Sequence, residues 1–198
     1  MSQWTELFSA WKRLAAEAQL PYALVGNALR SQLAHREPLS FLSRLEVAIP
    51  AERLRQLIPM AAPMPVRLKD ASKAVFILVP DMLQEADDRR PHTCDGKPAA
   101  KAGVDACAVV GPVGRVLLHD LAIDLYAYDV DSDGNVVWRG ENLVRMRVPD
   151  DSFSPFHTCS FLNSLAWCPR DSRNVEMMTS TREATERHCV EGKWVTQA

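Results

Sequence analysis

The stretch from Tyr22 to Pro50 constrains the fold more than any other, because its hydrophobic period changes twice. A short apolar run, Tyr22–Val25, meets Gly26, and a helical pattern follows from Asn27 to about Ala34. Leu45, Val47 and Ile49 then alternate with Arg44, Glu46 and Ala48, the period-two signature of a half-buried strand. Strand, glycine, helix, strand in close succession requires helices packed on a sheet. An α/β (α+β) class, with a small mixed sheet flanked by helices, is the expected architecture.

The rest of the chain fits that frame. Trp4, Leu7, Phe8, Trp11, Leu14, Ala15 and Ala18 recur at helical spacing, Ser2 offers an N-cap, and Pro21 closes the helix. Pro50 opens a third helix carrying Leu54, Leu57 and Ile58 on one face, ended by Pro59, Pro63 and Pro65. Val66–Leu68, Ala74–Val79, Ala106–Val110, Arg115–Leu118 and Leu121–Val130 read as strands, and the DSDGN sequence at 131–135 is turn chemistry leading into Val136–Trp138. Asp81 to Val104 is charged, rich in Pro and Gly and without a period, so it is expected to be a long loop or insertion. The tail offers an apolar stretch from Phe156 to Trp167 and a helix from about Asn174 to His188. With 198 residues and no internal repeat or linker, a single domain over 1–198 is the simplest organisation.

Composition excludes several classes. A net charge of -2 gives no global basic field, so there is no clear nucleic-acid signal, and no acidic excess marks a disordered tail. Glu6, Lys12, Arg13 and Glu17 interrupt the first segment, which argues against a signal peptide, and no run of about 18 apolar residues is present to span a membrane. The five cysteines, Cys94, Cys107, Cys159, Cys168 and Cys189, are odd in number and widely spread. That pattern argues against a disulfide framework and for a reducing, cytoplasmic setting. The two HTC triplets (92–94 and 157–159), with His188, supply zinc-ligand types, but none has the C-x₂-C spacing of a structural zinc site; scattered thiols and imidazoles are the plainer reading.

The chemistry-bearing candidates lie on the two strongest strands. Metal-dependent phosphoryl or nucleotidyl transfer uses carboxylates at i and i+2 on one strand, which share a face, and a third from a neighbouring strand. Here the i and i+2 positions are Arg44 and Glu46, and Asp124 stands inside the apolar strand AIDLYAYDV. Glu46 is either a metal ligand or a strand residue paired with Arg44 or exposed. Asp124 is either a site carboxylate or half of a structural salt bridge, since a lone Asp in an apolar strand is costly without a partner. Gly26 and Asn27 form either an anion-facing turn at a helix N-terminus or a tight connection. His35 and Arg36 either contact a ligand or satisfy the helix end and its dipole.

These motifs resemble the LicD-type nucleotidyltransferase-fold family, which includes phosphocholine transferases and the fukutin-related group. The resemblance rests on YALVGNALRSQLAH, on Leu39–Glu46 against a Phe-Ile-Pro-Trp-Asp-Asp-Asp-Ile-Asp pattern, on Asp124 in IDLYAY, and on Pro169, Gly192 and Trp194. It covers roughly Pro21–Pro50 and Leu121–Trp194. It implies a nucleotidyltransferase-like fold, catalytic and metal-binding roles for Glu46 and Asp124 with Mg or Mn, and cofactor-side roles for Gly26, Asn27, His35 and Arg44. It also implies a nucleotide or nucleotide-linked donor and transfer of a phospho-substituent to a glycan hydroxyl. Three Asp positions of the pattern fall on Leu42, Ser43 and Arg44. The expectation is therefore a degenerate relative in which Arg44 stands in for the metal as an internal counter-ion.

Overall fold

A computed structural model describes residues 2–60, 66–67, 74–79, 81–84, 88–93, 97–105, 107–140, 143–179, 187–190 and 193–196. The first helix, α1 (Gln3–Glu17), starts where Ser2 accepts a hydrogen bond from the Thr5 N–H, and it buries Leu7, Phe8, Ala10, Trp11, Leu14 and Ala15. That apolar stripe packs against the central strands. Phe8 meets Phe161 edge-on at 5.3 Å, and Trp11 meets Tyr22 at 5.2 Å. Burial pushes the Tyr22 phenol up to about 12.

The sheet follows in chain order. β1 (Ala23–Val25) leads directly into α2 (Gly26–His35), then β2 (Arg44–Pro50) and a 3-10 helix (Ala51–Met60). β3 (Val66–Arg67), β4 (Val75–Leu78), β5 (Gly114–Leu118), β6 (Leu121–Val130), β7 (Asn135–Arg139) and β8 (Arg145–Pro149) complete an eight-stranded sheet in the order β1-β2-β6-β5-β4-β3, with β7 joining β6 to β8. β6 is the organising strand. One edge pairs in parallel with all of β2; the other pairs antiparallel, first with β5 and then with β7. The β2–β6 pairing is parallel while the other ladders are antiparallel, so the sheet is mixed, as expected from the sequence. α3 (Asp150–Phe153) and α4 (Ser172–Thr179) follow β8, with the β9–β10 hairpin (His157–Phe161, Ser164–Cys168) between them.

Several sequence expectations are corrected. Residues 107–110 are not a strand, because Asp105 Oδ1 accepts from the N–H groups of Cys107 and Ala108 and turns the chain instead; Ala106 lies outside the described residues. The described tail helix is Ser172–Thr179, residues 180–186 lie outside the described residues, and Arg187–Val190 forms a strand, β11, paired with Lys193–Thr196, β12. Val190, Trp194, Val195 and Thr196 suit a ladder better than a helix. The element after Pro50 is a 3-10 rather than an α-helix. Within 81–104 the described residues carry no strand or α-helix, only one bridge between His92 and Pro98, a 3-10 residue at Asp88 and short turns.

The cysteine reading is also corrected. Cys159 and Cys168 form a disulfide across the β9–β10 hairpin, their Cα atoms 5.9 Å apart, and Cys107 is disulfide-bonded as well. The odd total concealed a pair that hairpin register brings together, and the cysteine argument for a reducing compartment falls with it. Among the described residues no helix is long and apolar enough to cross a membrane.

Candidate functional site

Strand pairing gathers one row of side chains across the middle of the sheet. Val25 on β1 registers with Glu46 on β2, Glu46 with Asp124 on β6, Asp124 with Arg115 on β5, and Arg115 with Ile77 on β4. Residues in register on adjacent strands share a face. Three of the five are ionisable, and they are consecutive.

Glu46 completes a helix from a distance. α2 begins without a side-chain cap, because its N-cap position is Val25. The Asn27 N–H donates to Glu46 Oε2 instead, and the Asn27 Nδ2 donates to Oε1 at 3.1 Å. A carboxylate at a helix N-terminus is favoured by the exposed N–H groups and by the macrodipole. Gly26 makes the contact possible. Its φ is +50, and a Cβ there would lie 2.6 Å from Glu46 Oε2, so the carboxylate sits where any other side chain would begin.

Asp124 is held still more completely. It is 2% exposed, and Arg115, 6% exposed, faces it from β5. Arg115 Nε donates to Oδ1 and Nη2 to Oδ2 at 2.8 Å, a fork in which both carboxylate oxygens accept. The sequence reading did not single out Arg115. Arg44, expected to supply the internal cation, lies exposed at the start of β2 in register with Ala122; the cation on Asp124 is Arg115. His35 ends α2, exposed. A helix of this length places it about 14 Å from Gly26, at the other end from the row. Gly26, Asn27, Glu46 and Asp124 are thus brought together, and His35 is not.

Arg115 answers Asp124, and the Glu46 carboxylate faces the α2 N-terminus, which carries about half a positive charge. A divalent metal of the Mg or Mn type needs several carboxylate or other oxygen atoms turned toward one point. Here both Asp124 oxygens are directed at Arg115 and both Glu46 oxygens at Asn27. No group of three or more His, Cys, Asp or Glu side chains among the described residues is arranged to hold a metal; Cys94 lies outside the described residues. As arranged, the row does not fit a metal.

No family model matches the chain, and no curated protein does. Among solved structures, the chain is similar to the lincosamide antibiotic adenylyltransferase LnuA in its lincomycin-bound crystal structure, at a TM-score of 0.38 and 10% identity, over 83% of this chain and 78% of that one. A likeness at that level assigns neither site nor activity.

Proposed function

We propose that this chain is a nucleotidyltransferase-like domain, single over its length, whose metal-dependent chemistry has given way to internal charge pairing, and that it acts as a binding or regulatory module. The observation carrying the reading is the Arg115 fork on Asp124. A guanidinium bonded to both oxygens of a buried carboxylate occupies the directions a cation would use. Glu46 plays the complementary part. It sits at the α2 N-terminus, where the resemblance would otherwise place the phosphate of a nucleotide, so the chain supplies its own anion there as well as its own cation. The affiliation with the LicD-type family belongs to this proposal and rests on the motif residues in Pro21–Pro50 and around Asp124.

Thermal unfolding with ATP or CTP, with and without Mg²⁺ or Mn²⁺, tests the reading, since a ligand that binds only the folded state raises its stability by mass action. Any nucleotide stabilisation is expected to be the same with and without metal. A saturable rise that needs the divalent ion would favour an active transferase moving a phospho-substituent from a nucleotide-linked donor to a glycan hydroxyl, with Glu46 and Asp124 as ligands.

A further inference from the structure

The β9–β10 hairpin lies outside the eight-stranded sheet and owes nothing to the charge row. Alternation along its strands divides it into two faces. Thr158, Ser160, Leu165 and Trp167 are exposed on one, whereas Phe161, Ala166 and Cys168 are buried on the other, with Cys159 half-buried beside them. The Cys159–Cys168 disulfide runs diagonally across that inner face, since Cys159 registers with Ala166 and Cys168 with His157.

By itself the hairpin is a weak unit. A two-stranded ribbon is marginal in water, and its turn holds Leu162 at φ +50, a conformation costly for leucine. Contacts with the rest of the molecule seat it. The Phe161 ring meets Phe8 of α1, the Leu162 N–H donates to the Arg36 carbonyl at the end of α2 at 2.9 Å, and the Trp167 N–H donates to the Tyr22 hydroxyl. These contacts come from both strands, so they form together only while the hairpin keeps its register. Beyond Cys168 the chain is anchored separately, with the Arg170 and Asp171 N–H groups on the Phe153 and Ser152 carbonyls.

We propose that the Cys159–Cys168 disulfide is a dithiol-sensitive clasp, whose reduction unseats the hairpin from α1 and the end of α2 while the main sheet stays folded. Cys159 is half-buried and Cys168 fully buried, so a thiolate from solvent attacks at Cys159. The reductant is a small dithiol. One of its thiolates bonds to the Cys159 sulfur, the Cys159–Cys168 bond breaks, and Cys168 leaves as a thiolate that takes up a proton. The second thiol of the reductant, as its thiolate, attacks the mixed disulfide and frees Cys159, which is protonated in turn. The dithiol departs as a cyclic disulfide, having given up two electrons. The two cysteines are only nine residues apart, so the constraint that is lost is local to the hairpin.

Amide hydrogen exchange in the whole protein, with and without dithiothreitol, is the test. Reduction should speed exchange at Leu162 and Trp167 by about tenfold or more and leave Ile123 and Leu125 of β6 within about twofold. Cys107 is also disulfide-bonded, and Cys159→Ala/Cys168→Ala separates the two links: its Leu162 and Trp167 should exchange at the reduced rate whether or not dithiothreitol is added. Unchanged exchange at Leu162 and Trp167 on reduction would overturn the proposal. So would equal acceleration in β6, which would make the disulfide a staple of the whole fold, and so would a double variant that is unfolded, stays protected or still responds to the dithiol.

Discussion

The two ends of β6 treat charge in opposite ways. Near its start, Asp124 is buried and enclosed by Arg115, while Glu46 beside it is enclosed by the opening of α2. Toward its end, the sheet continues into β7 and β8, where Arg139 faces Arg145 and the surroundings are open to solvent. In one region the carboxylates are buried against bonded partners, and in the other two arginines lie opposite each other near the surface. Burial explains the contrast. An unpaired charge inside the core costs several kcal/mol, roughly, whereas a screened surface arginine costs little.

The contrast breaks most visibly at Arg115. Arg115→Met leaves Asp124 buried without its partner and should lower stability by about 3–5 kcal/mol in urea unfolding at neutral pH. Arg115→Met/Asp124→Leu should regain most of the loss, since it removes both charges together. A single variant within about 0.5 kcal/mol of the parent would mean that the pair is not enclosed as described.

Gly26→Ala comes next. The added Cβ meets the Glu46 carboxylate and must adopt a positive φ, so a loss of about 1–3 kcal/mol is expected, read by the same unfolding curve. Glu46→Gln keeps the shape and removes the charge facing the helix end. A loss of about 1 kcal/mol, decreasing with added salt, would isolate the helix-terminus contribution from that of packing. Arg145→Gln should change stability by less than about 0.5 kcal/mol. A cost as large as that of Arg115→Met would erase the distinction between the two regions.

Much of this arrangement was legible in the sequence. The alternation in Arg44–Ile49 and the apolar run around Asp124 identified the two strands, and the structure places them side by side with Glu46 opposite Asp124. Arg115 was legible too, had the hairpin been followed through. Strands ending at Leu118 and beginning at Leu121 leave two residues for the turn, and pairing outward from it sets Arg115 against Asp124. The Cys159–Cys168 link was hidden for a different reason. Its hairpin turns on Leu162 and Asn163, both at positive φ, and a leucine there gives no turn signal. The tail was misread because a charged segment with few apolar residues supports either period.

The most direct measurement is paramagnetic broadening by Mn²⁺, followed at the amide resonances of Asn27, Glu46 and Asp124 in the unmodified protein. If Arg115 stands where a cation would, micromolar Mn²⁺ should leave these signals no more broadened than those of ordinary surface residues. Saturable broadening centred on the three would contradict it, and Glu46 and Asp124 would then be metal ligands.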